Sequence, residues 1–596
     1  MMLLQWICNR FVSLFGIASL LIAIYYYGQL ENRGKRHVAR TPPNPEMPLP
    51  PSSSQKQHFK QSAICSDNAE CSLIARDVLQ RGGSAVDAAL AALLCNGLLG
   101  IQSMGLGGGM LMNIYLHNER RAVSILSREM APQSRSALDY AKFQNEQQLQ
   151  QSSWSIAVPT ELLGYAVAHE RYGRLPWHEL MAPTLALCHS GYALYKHQLD
   201  ALVINEAMIK ADSLLSRMFV NPETGDFWRL GSHIQPPKQL CATYETIASE
   251  GPRSFYNGSL MGQVYADLRD INSGITREDL TNAQVQLAES LVVPLDELDL
   301  HLVPPPGSGH IVAFIMNILR EFRSDFEATG KLGALEIHRI VEAMKFGFVQ
   351  RWQLDDAANE QLLANLTSPE LAARIAQLID DAETFNSSSH YGASGELEAR
   401  DEHGTAHISV LHNGDAVSVT SSINFYFGSG RMGKRSGVLF NNAMSDYSLR
   451  HLRNYFDLPF IDGKNAIGVA PRPMSSMCPI IVTERESGKV RLVVGAAGGT
   501  KIITALAPLL VRMLWQRADI KSAIDAARFH HQMLPNVLQY EYGMLQADVN
   551  SLQAKGHQCE RYRNRGSVIC GISNGLNDAG IAVNSDYRKL GGVAGI

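Results

Sequence analysis

The stretch Gly404-Thr-Ala-His-Ile-Ser-Val-Leu-His-Asn413-Gly414-Asp-Ala-Val-Ser-Val-Thr-Ser-Ser422 decides how this chain is read. Ala406, Ile408 and Val410 alternate with His407 and Ser409, the period-two pattern of a half-buried strand. Asn413-Gly414 is the strongest short hairpin signal, because the favoured two-residue turn needs positive φ at both central residues. Val417 and Val419 then alternate with Ser418 and Thr420. With a two-residue turn, Val410 faces Val417, Ile408 faces Val419 and Thr405 faces Ser422. Cross-strand Cβ atoms lie roughly 4.5–5.5 Å apart, so two hydroxyls meet where the hairpin begins. Upstream, Ser387 to His403 is rich in Ser, Gly, Glu and Asp and reads as a surface loop. A Thr at a strand start, beside a second hydroxyl and behind a cleavable loop, is where an N-terminal nucleophile would stand. An ordinary strand-opening Thr has the same local pattern, so the rest of the chain must discriminate.

The 596 residues can bury a large core, in two or three units. A hydrophobic content of 45% and a net charge of −4 fit a globular protein and give no basic excess for nucleic acid. Nine cysteines occur with no CxxC spacing, which argues against zinc.

Phe11 to Leu30 carries no charge, and Trp6 and Tyr25-Tyr26-Tyr27 flank its apolar centre. About 20 such residues suit a membrane-spanning helix with interfacial aromatics. A cleaved signal peptide is the rival, but no small-x-small cleavage site follows. We therefore read residues 1–10 as a short cytoplasmic tail, 11–30 as a signal-anchor and 31–60 as a Pro-rich, extended stalk. Arg33, Lys35, Arg36 and Arg40 after the span, against Arg10 before it, would place the large domain in the cytosol. The sequons at Asn257, Asn365 and Asn386 argue instead for an exported, glycosylated domain.

Ala69 to Leu98 reads as helical, broken at Arg81-Gly82-Gly83, with Ser84 capping the second helix. Met110 to Leu116 and Ala122 to Leu126 read as a hairpin, His178 to Tyr391 as mostly helical, Thr500 to Trp515 as a helix and Ile581 to Asp586 as a strand.

Four further clusters can carry chemistry. Arg128 stands at a strand end, where a guanidinium can clamp a carboxylate or make an ordinary ion pair. Asn441-Asn-Ala-Met-Ser-Asp446 is a polar loop. Ser475-Ser476 places two hydroxyls before the apolar Ile480 to Val482. Gly498-Gly499 lies between a strand and a helix, where backbone N–H groups can form an oxyanion hole.

In order, Glu402-His-Gly-Thr405-Ala-His, Ser421-Ser422-Ile-Asn424, Asn441-Asn442, Ser475-Ser476-Met-Cys-Pro479 and Gly495-Ala-Ala-Gly-Gly-Thr500 resemble the gamma-glutamyltranspeptidases. Gly82-Gly-Ser-Ala-Val-Asp, Ser127-Arg-Glu-Met-Ala-Pro132, Gly173-Arg-Leu-Pro-Trp177 and Phe255-Tyr-Asn-Gly-Ser259 agree. The resemblance covers about residues 65 to 596. It implies an α+β, four-layered αββα N-terminal-nucleophile hydrolase fold. It also implies a precursor that cuts itself between Gly404 and Thr405, giving a large subunit (61–404) and a small one (405–596) as a heterodimer. The implied activity is that of a gamma-glutamyltransferase and glutathione hydrolase, a threonine-type acyltransferase without metal or organic cofactor. Thr405 would take the γ-glutamyl group of glutathione or a related compound and pass it to water, an amino acid or a dipeptide. Ser422 would support Thr405, and Gly498 and Gly499 would hold the oxyanion. Arg128, Ser475 and Ser476 would bind the donor's α-carboxylate, and Asn424 and Asp446 its ammonium. Relatives of this kind in animals are type II ectoenzymes, which implies a plasma-membrane protein with its catalytic domain outside the cell.

Cys71 and Cys95 match a disulfide of the family. Cys559 with Cys570 is a further candidate bridge, and Cys188, Cys241 and Cys478 can equally be buried thiols. One departure matters: active relatives carry Glu where this chain has Ala443, and often a second acid at Ser445. The ammonium subsite thereby loses a partner worth about 1.5–3 kcal/mol. Two alternatives follow, a weakened or inactive ectodomain and an amidase with another acyl donor.

Overall fold

The computed structural model describes residues 42–392, 404–449, 463–562 and 566–596. The expected tail, the anchor and the first part of the stalk lie outside the described residues, as does the end of the loop before Gly404. Among the described residues no helix is long and apolar enough to cross a membrane.

Two seven-stranded sheets stack face to face. One runs, in spatial order, Gly592–Gly595, Ser62–Ser66, Ala406–His412, Asp415–Ser422, Gly109–Leu116, Arg121–Ser127 and Gln286–Glu289. The other runs Gln57–Phe59, Ile581–Ser585, Val568–Asn574, Val490–Ala497, Ile480–Glu484, Leu298–Leu302 and Leu291–Leu295. Ala63, Tyr115, Leu411, Ile481, Val493 and Ile572 fill the space between them. Helices including Ala69–Gln80, Ala85–Leu99 and Glu161–Tyr172 cover the outer face of the first sheet. Gly309–Arg320, Ala334–Arg351 and Lys501–Leu514 cover the second. The layering is therefore the expected helix, sheet, sheet, helix.

The 406–422 hairpin has the register its sequence specifies: Val410 pairs with Val417, Ile408 with Val419 and Ala406 with Ser421. Asn413 and Gly414 both have positive φ, 52° and 92°. Ser84 forms the expected cap, accepting from Asp87 N at 3.1 Å while the Asp87 carboxylate accepts from Ser84 N at 2.8 Å. The helix it starts is buried on every side, as a helix held between a sheet and further helices must be.

The region 178–391 is mostly helical, as expected, and also carries the strands Gln286–Glu289, Leu291–Leu295 and Leu298–Leu302. Pro294 disguises the second of these, but that strand lies at the sheet edge, where a missing N–H breaks no ladder. The Pro-rich segment is not a free stalk from residue 42 onward. The carbonyls of Pro42 and Pro45 accept from Arg561 Nη1 at 2.7 Å and Gln546 N at 2.9 Å. Ser52 donates to Asp525 at 2.8 Å, and Lys56 pairs with Asp519 and Asp578 at 3.0 and 2.7 Å. Proline removes donors but leaves acceptors, and the body supplies the donors. Cys559 does not bridge Cys570. The disulfides are Cys71–Cys95, as the resemblance implied, Cys188–Cys241 and Cys65–Cys570, which joins the two sheets. Cys559 and Cys478 are free thiols.

The chain just before the undescribed loop is anchored to the core. Tyr391 Oη and Thr384 Oγ1 donate to Glu342 at 2.5 and 2.6 Å, and Lys345 pairs with the same buried carboxylate at 3.1 Å. On the far side of the loop, Gly404 N donates to Asn424 O at 3.1 Å.

Candidate active site

Antiparallel stacking brings five strand ends together. Thr405 precedes Ala406–His412, and Ser422 closes Asp415–Ser422. Arg128 follows Arg121–Ser127, Gly498-Gly499 follow Val490–Ala497, and Ser475-Ser476 lie before Ile480–Glu484. One pocket results, lined by Thr405, Ser422, Asn424, Asp446, Arg128, Ser475, Ser476, Gly499 and Arg351. Of the expected chemical groups, only Gly498 is set back from its wall.

Thr405 is 7% exposed, and its Oγ lies 3.2 Å from Ser422 Oγ. Both hydroxyls converge on the Gly404 carbonyl: Thr405 donates to it at 2.7 Å and Ser422 at 2.8 Å. Ser422 Oγ is itself held by Asn424 N at 2.9 Å. A Cβ on Gly404 would come within 2.7 Å of Tyr426 N and 2.8 Å of Phe425 C, so only glycine lets the chain pass here. Lys589 Nζ donates to the Thr405 carbonyl at 2.8 Å and pairs with Asp67 at 2.5 Å, while Asp67 accepts from His407 N at 3.2 Å. This ion pair fixes the strand start from two distant segments.

Gly498 and Gly499 have φ of 128° and 55°, and a Cβ on Gly498 would meet Ser567 Cα at 2.9 Å. Among the described residues neither N–H has a protein acceptor. Gly499 lines the pocket that holds Thr405, so its unspent N–H stands where an oxyanion hole needs a donor.

At the other end, Arg128 Nη1 pairs with Glu129 at 2.6 Å and Nη2 with Asp446, while Nε donates weakly to Pro473 O at 3.4 Å. Asn424 Nδ2 donates to the second Asp446 oxygen at 3.0 Å. Ser475 N donates to Pro306 O at 2.8 Å, and Ser475 Oγ accepts from Met477 N at 3.2 Å. Beneath the hairpin, Glu161 accepts from Ser421 Oγ at 2.8 Å and Tyr165 Oη at 2.6 Å. Burial pushes its pKa up to about 8.

Ala443 stands apart from the pocket wall. It is fully buried and belongs to an apolar cluster with Tyr140, Phe143, Tyr447 and Ile467. The sequons at Asn257, Asn365 and Asn386 are all exposed. Sequence reading missed Arg351, Lys589, Asp67 and the engagement of Arg128 by Glu129. Arg351 comes from a helix end and Lys589 and Asp67 from remote segments, none with a local motif, while Glu129 is adjacent to Arg128 in the sequence but adjacency alone does not signal an ion pair.

The structure superposes on cephalosporin acylase from Bacillus halodurans with a TM-score of 0.77 at 20% identity, covering 93% of this chain and 99% of that one. This is the fold of N-terminal-nucleophile hydrolases. The family model for gamma-glutamyltranspeptidase matches residues 71–596. Scoloptoxin SSD14 of Scolopendra dehaani is 36% identical, over 90% of this chain and 92% of its own length. Glutathione hydrolase 5 proenzyme of Mus musculus is 34% identical, over 90% and 93%. The chain belongs to the gamma-glutamyltranspeptidase family.

Proposed function

We propose that the protein is a self-cleaving gamma-glutamyl hydrolase/transpeptidase acting on glutathione and related γ-glutamyl compounds. The observation that carries this is the convergence of the Thr405 and Ser422 hydroxyls on the Gly404 carbonyl, 2.7 and 2.8 Å away. Ser422 polarises that carbonyl, and Thr405 Oγ adds to its carbon. The C–N bond breaks, leaving an ester on Thr405 Oγ and a free Thr405 amine. Water then hydrolyses the ester, giving a Gly404 carboxylate and restoring the Thr405 hydroxyl.

The new amine has an ordinary pKa of about 7.7–8.0 and takes the Oγ proton at neutral pH. Thr405 Oγ attacks the donor's γ-amide, and the Gly498 and Gly499 N–H groups hold the oxyanion. The amine returns the proton to the leaving nitrogen, here of a Cys-Gly dipeptide. Water, an amino acid or a dipeptide then takes the glutamyl group from the ester. Asp446 and Asn424 receive the donor's ammonium, and the Ser475-Ser476 end with Arg128 receives its carboxylate. The loss of the family's Glu at Ala443 favours a second reading, in which glutamyl capture is weak or the acyl donor differs.

The three disulfides and the exposed sequons support an oxidising compartment. We accordingly place the catalytic domain outside the cell, as a glycoprotein held at the plasma membrane by a single type II signal-anchor at residues 11–30. The test is a denaturing gel of the expressed protein under reducing conditions, followed by an assay of γ-glutamyl anilide release. Two bands and release are expected, and Thr405→Ala should stay uncut and inert. An uncut, inert wild type overturns the proposal.

A further inference from the structure

Beneath the Pro-rich segment lies a cavity of about 930 Å³ that shares no residue with the Thr405 pocket. Its volume falls within the roughly 300–1,000 Å³ of small-molecule sites. Residues 48–53 form one wall, and Leu332, Ile337, Phe529, Met544 and Leu545 form much of the rest, so the lining is mostly apolar. The Pro-rich wall is fixed to the body. Asn44 Nδ2 donates to Tyr540 Oη and to Gln546 Oε1 at 2.9 Å each, and Ser54 Oγ donates to Asp525 at 3.2 Å.

Three carboxylates reach this lining, and each has its own cation. Asp519 pairs with Lys56 at 3.0 Å and Asp525 with Lys521 at 2.6 Å, and Lys331 is the cation acting on Asp548. Arg512, in the last turn of Lys501–Leu514, is left over. It is half-buried, and among the described residues its guanidinium makes no hydrogen bond, ion pair or ring contact. Its charged neighbour is Arg528, which is spent on Asp586 at 2.8 Å. Burial and the like charge of Arg528 draw the pKa of Arg512 down to about 10, with no carboxylate opposing them, so it stays cationic at neutral pH.

An unmatched cation at an apolar cavity is unfavourable until an anion joins it. A free guanidinium fork accepts a carboxylate through two parallel hydrogen bonds. The surrounding walls favour an apolar body on that anion, worth at most roughly four-fold in affinity per covered methylene. We propose that this cavity binds a long-chain monocarboxylate of the fatty-acid type, its head on Arg512 and its chain along Leu332, Ile337, Phe529 and Met544.

The test irradiates the full chain in phosphatidylcholine nanodiscs with a diazirine-bearing palmitate and maps the label by mass spectrometry. Label is expected on the segments 332–337 and 526–545. Dodecanoate should compete it away, whereas methyl dodecanoate, which keeps the chain without the charge, should not. Arg512→Gln should lower the labelling roughly ten- to a hundred-fold, as for the loss of one charge-assisted contact, and Arg512→Lys should lower it less. Neither variant breaks an ion pair, so both should melt no lower than the wild type, which separates lost binding from lost fold. A Gln variant that fails to fold leaves the Lys variant and the ester to decide. No label in these segments overturns the inference. So does label unchanged in the folded variants, or equal competition by the ester, which would leave an apolar crevice without a head-group site.

Discussion

Cys65 lies in the strand Ser62–Ser66 and Cys570 in Val568–Asn574, on opposite sides of the proposed cut after Gly404. If Gly404–Thr405 is hydrolysed, this disulfide becomes the covalent link between a part ending at 404 and a part of 192 residues (596 − 404). The perturbation is Cys65→Ser. Both sulfurs are buried, at 0% and 2% exposure, and the bond spans 505 residues of sequence. The chain-entropy relation gives about 6 kcal/mol for closing a loop of that length in an uncut chain. Measured disulfides return less, so about 2–5 kcal/mol is the expected loss. At about 2.1 cal/mol/K of unfolding entropy per residue, that lowers the melting temperature of a chain this long by roughly 2–4 °C. The decisive assay is electrophoretic. Wild type should run as one species near the full 65.6 kDa without reductant and as two with it. Cys65→Ser should give two bands in both lanes. Two wild-type bands without reductant would refute the tether, whereas one band in both lanes would refute the cut instead.

Ser422→Ala removes the 2.8 Å donor to the Gly404 carbonyl and should slow self-cleavage roughly ten- to a hundred-fold on a reducing-gel time course; an unchanged rate would show that Ser422 does not polarise the bond. Glu161 should make stability fall as pH rises. Its native pKa of about 8 stands above the ordinary 4.5, so the folded state retains a proton that the unfolded chain has released. The stability lost between about pH 4.5 and 8 is at most about 5 kcal/mol. Melting curves should show the wild type losing more than Glu161→Gln between pH 5 and 9; parallel losses would contradict the raised pKa.

The parts of the site legible in sequence are those fixed by local backbone chemistry. Asn413-Gly414 demands positive φ, the hydrophobic alternation allows one register, and that register alone puts Ser422 opposite Thr405. Gly498-Gly499 and Ser475-Ser476 are turn residues beside apolar strands, and strand ends are where such a fold exposes function. Pairing across the molecule has no such signature. Asp67 and Lys589 are 522 residues apart, and neither flanking sequence indicates that together they secure the carbonyl of Thr405. Ala443 shows the same limit from the other side. Its identity was readable, but its seat in an apolar cluster depends on Tyr140 and Phe143, which come from a separate loop.

Arg128 shows how far this matters for function. An Arg at a strand end reads correctly as a carboxylate clamp, and it does hold carboxylates, but they are the protein's own. A guanidinium with both terminal nitrogens engaged takes a substrate anion only by loosening one of those pairs, so the carboxylate's affinity at Arg128 is the difference between two buried ion pairs, an exchange that is close to neutral.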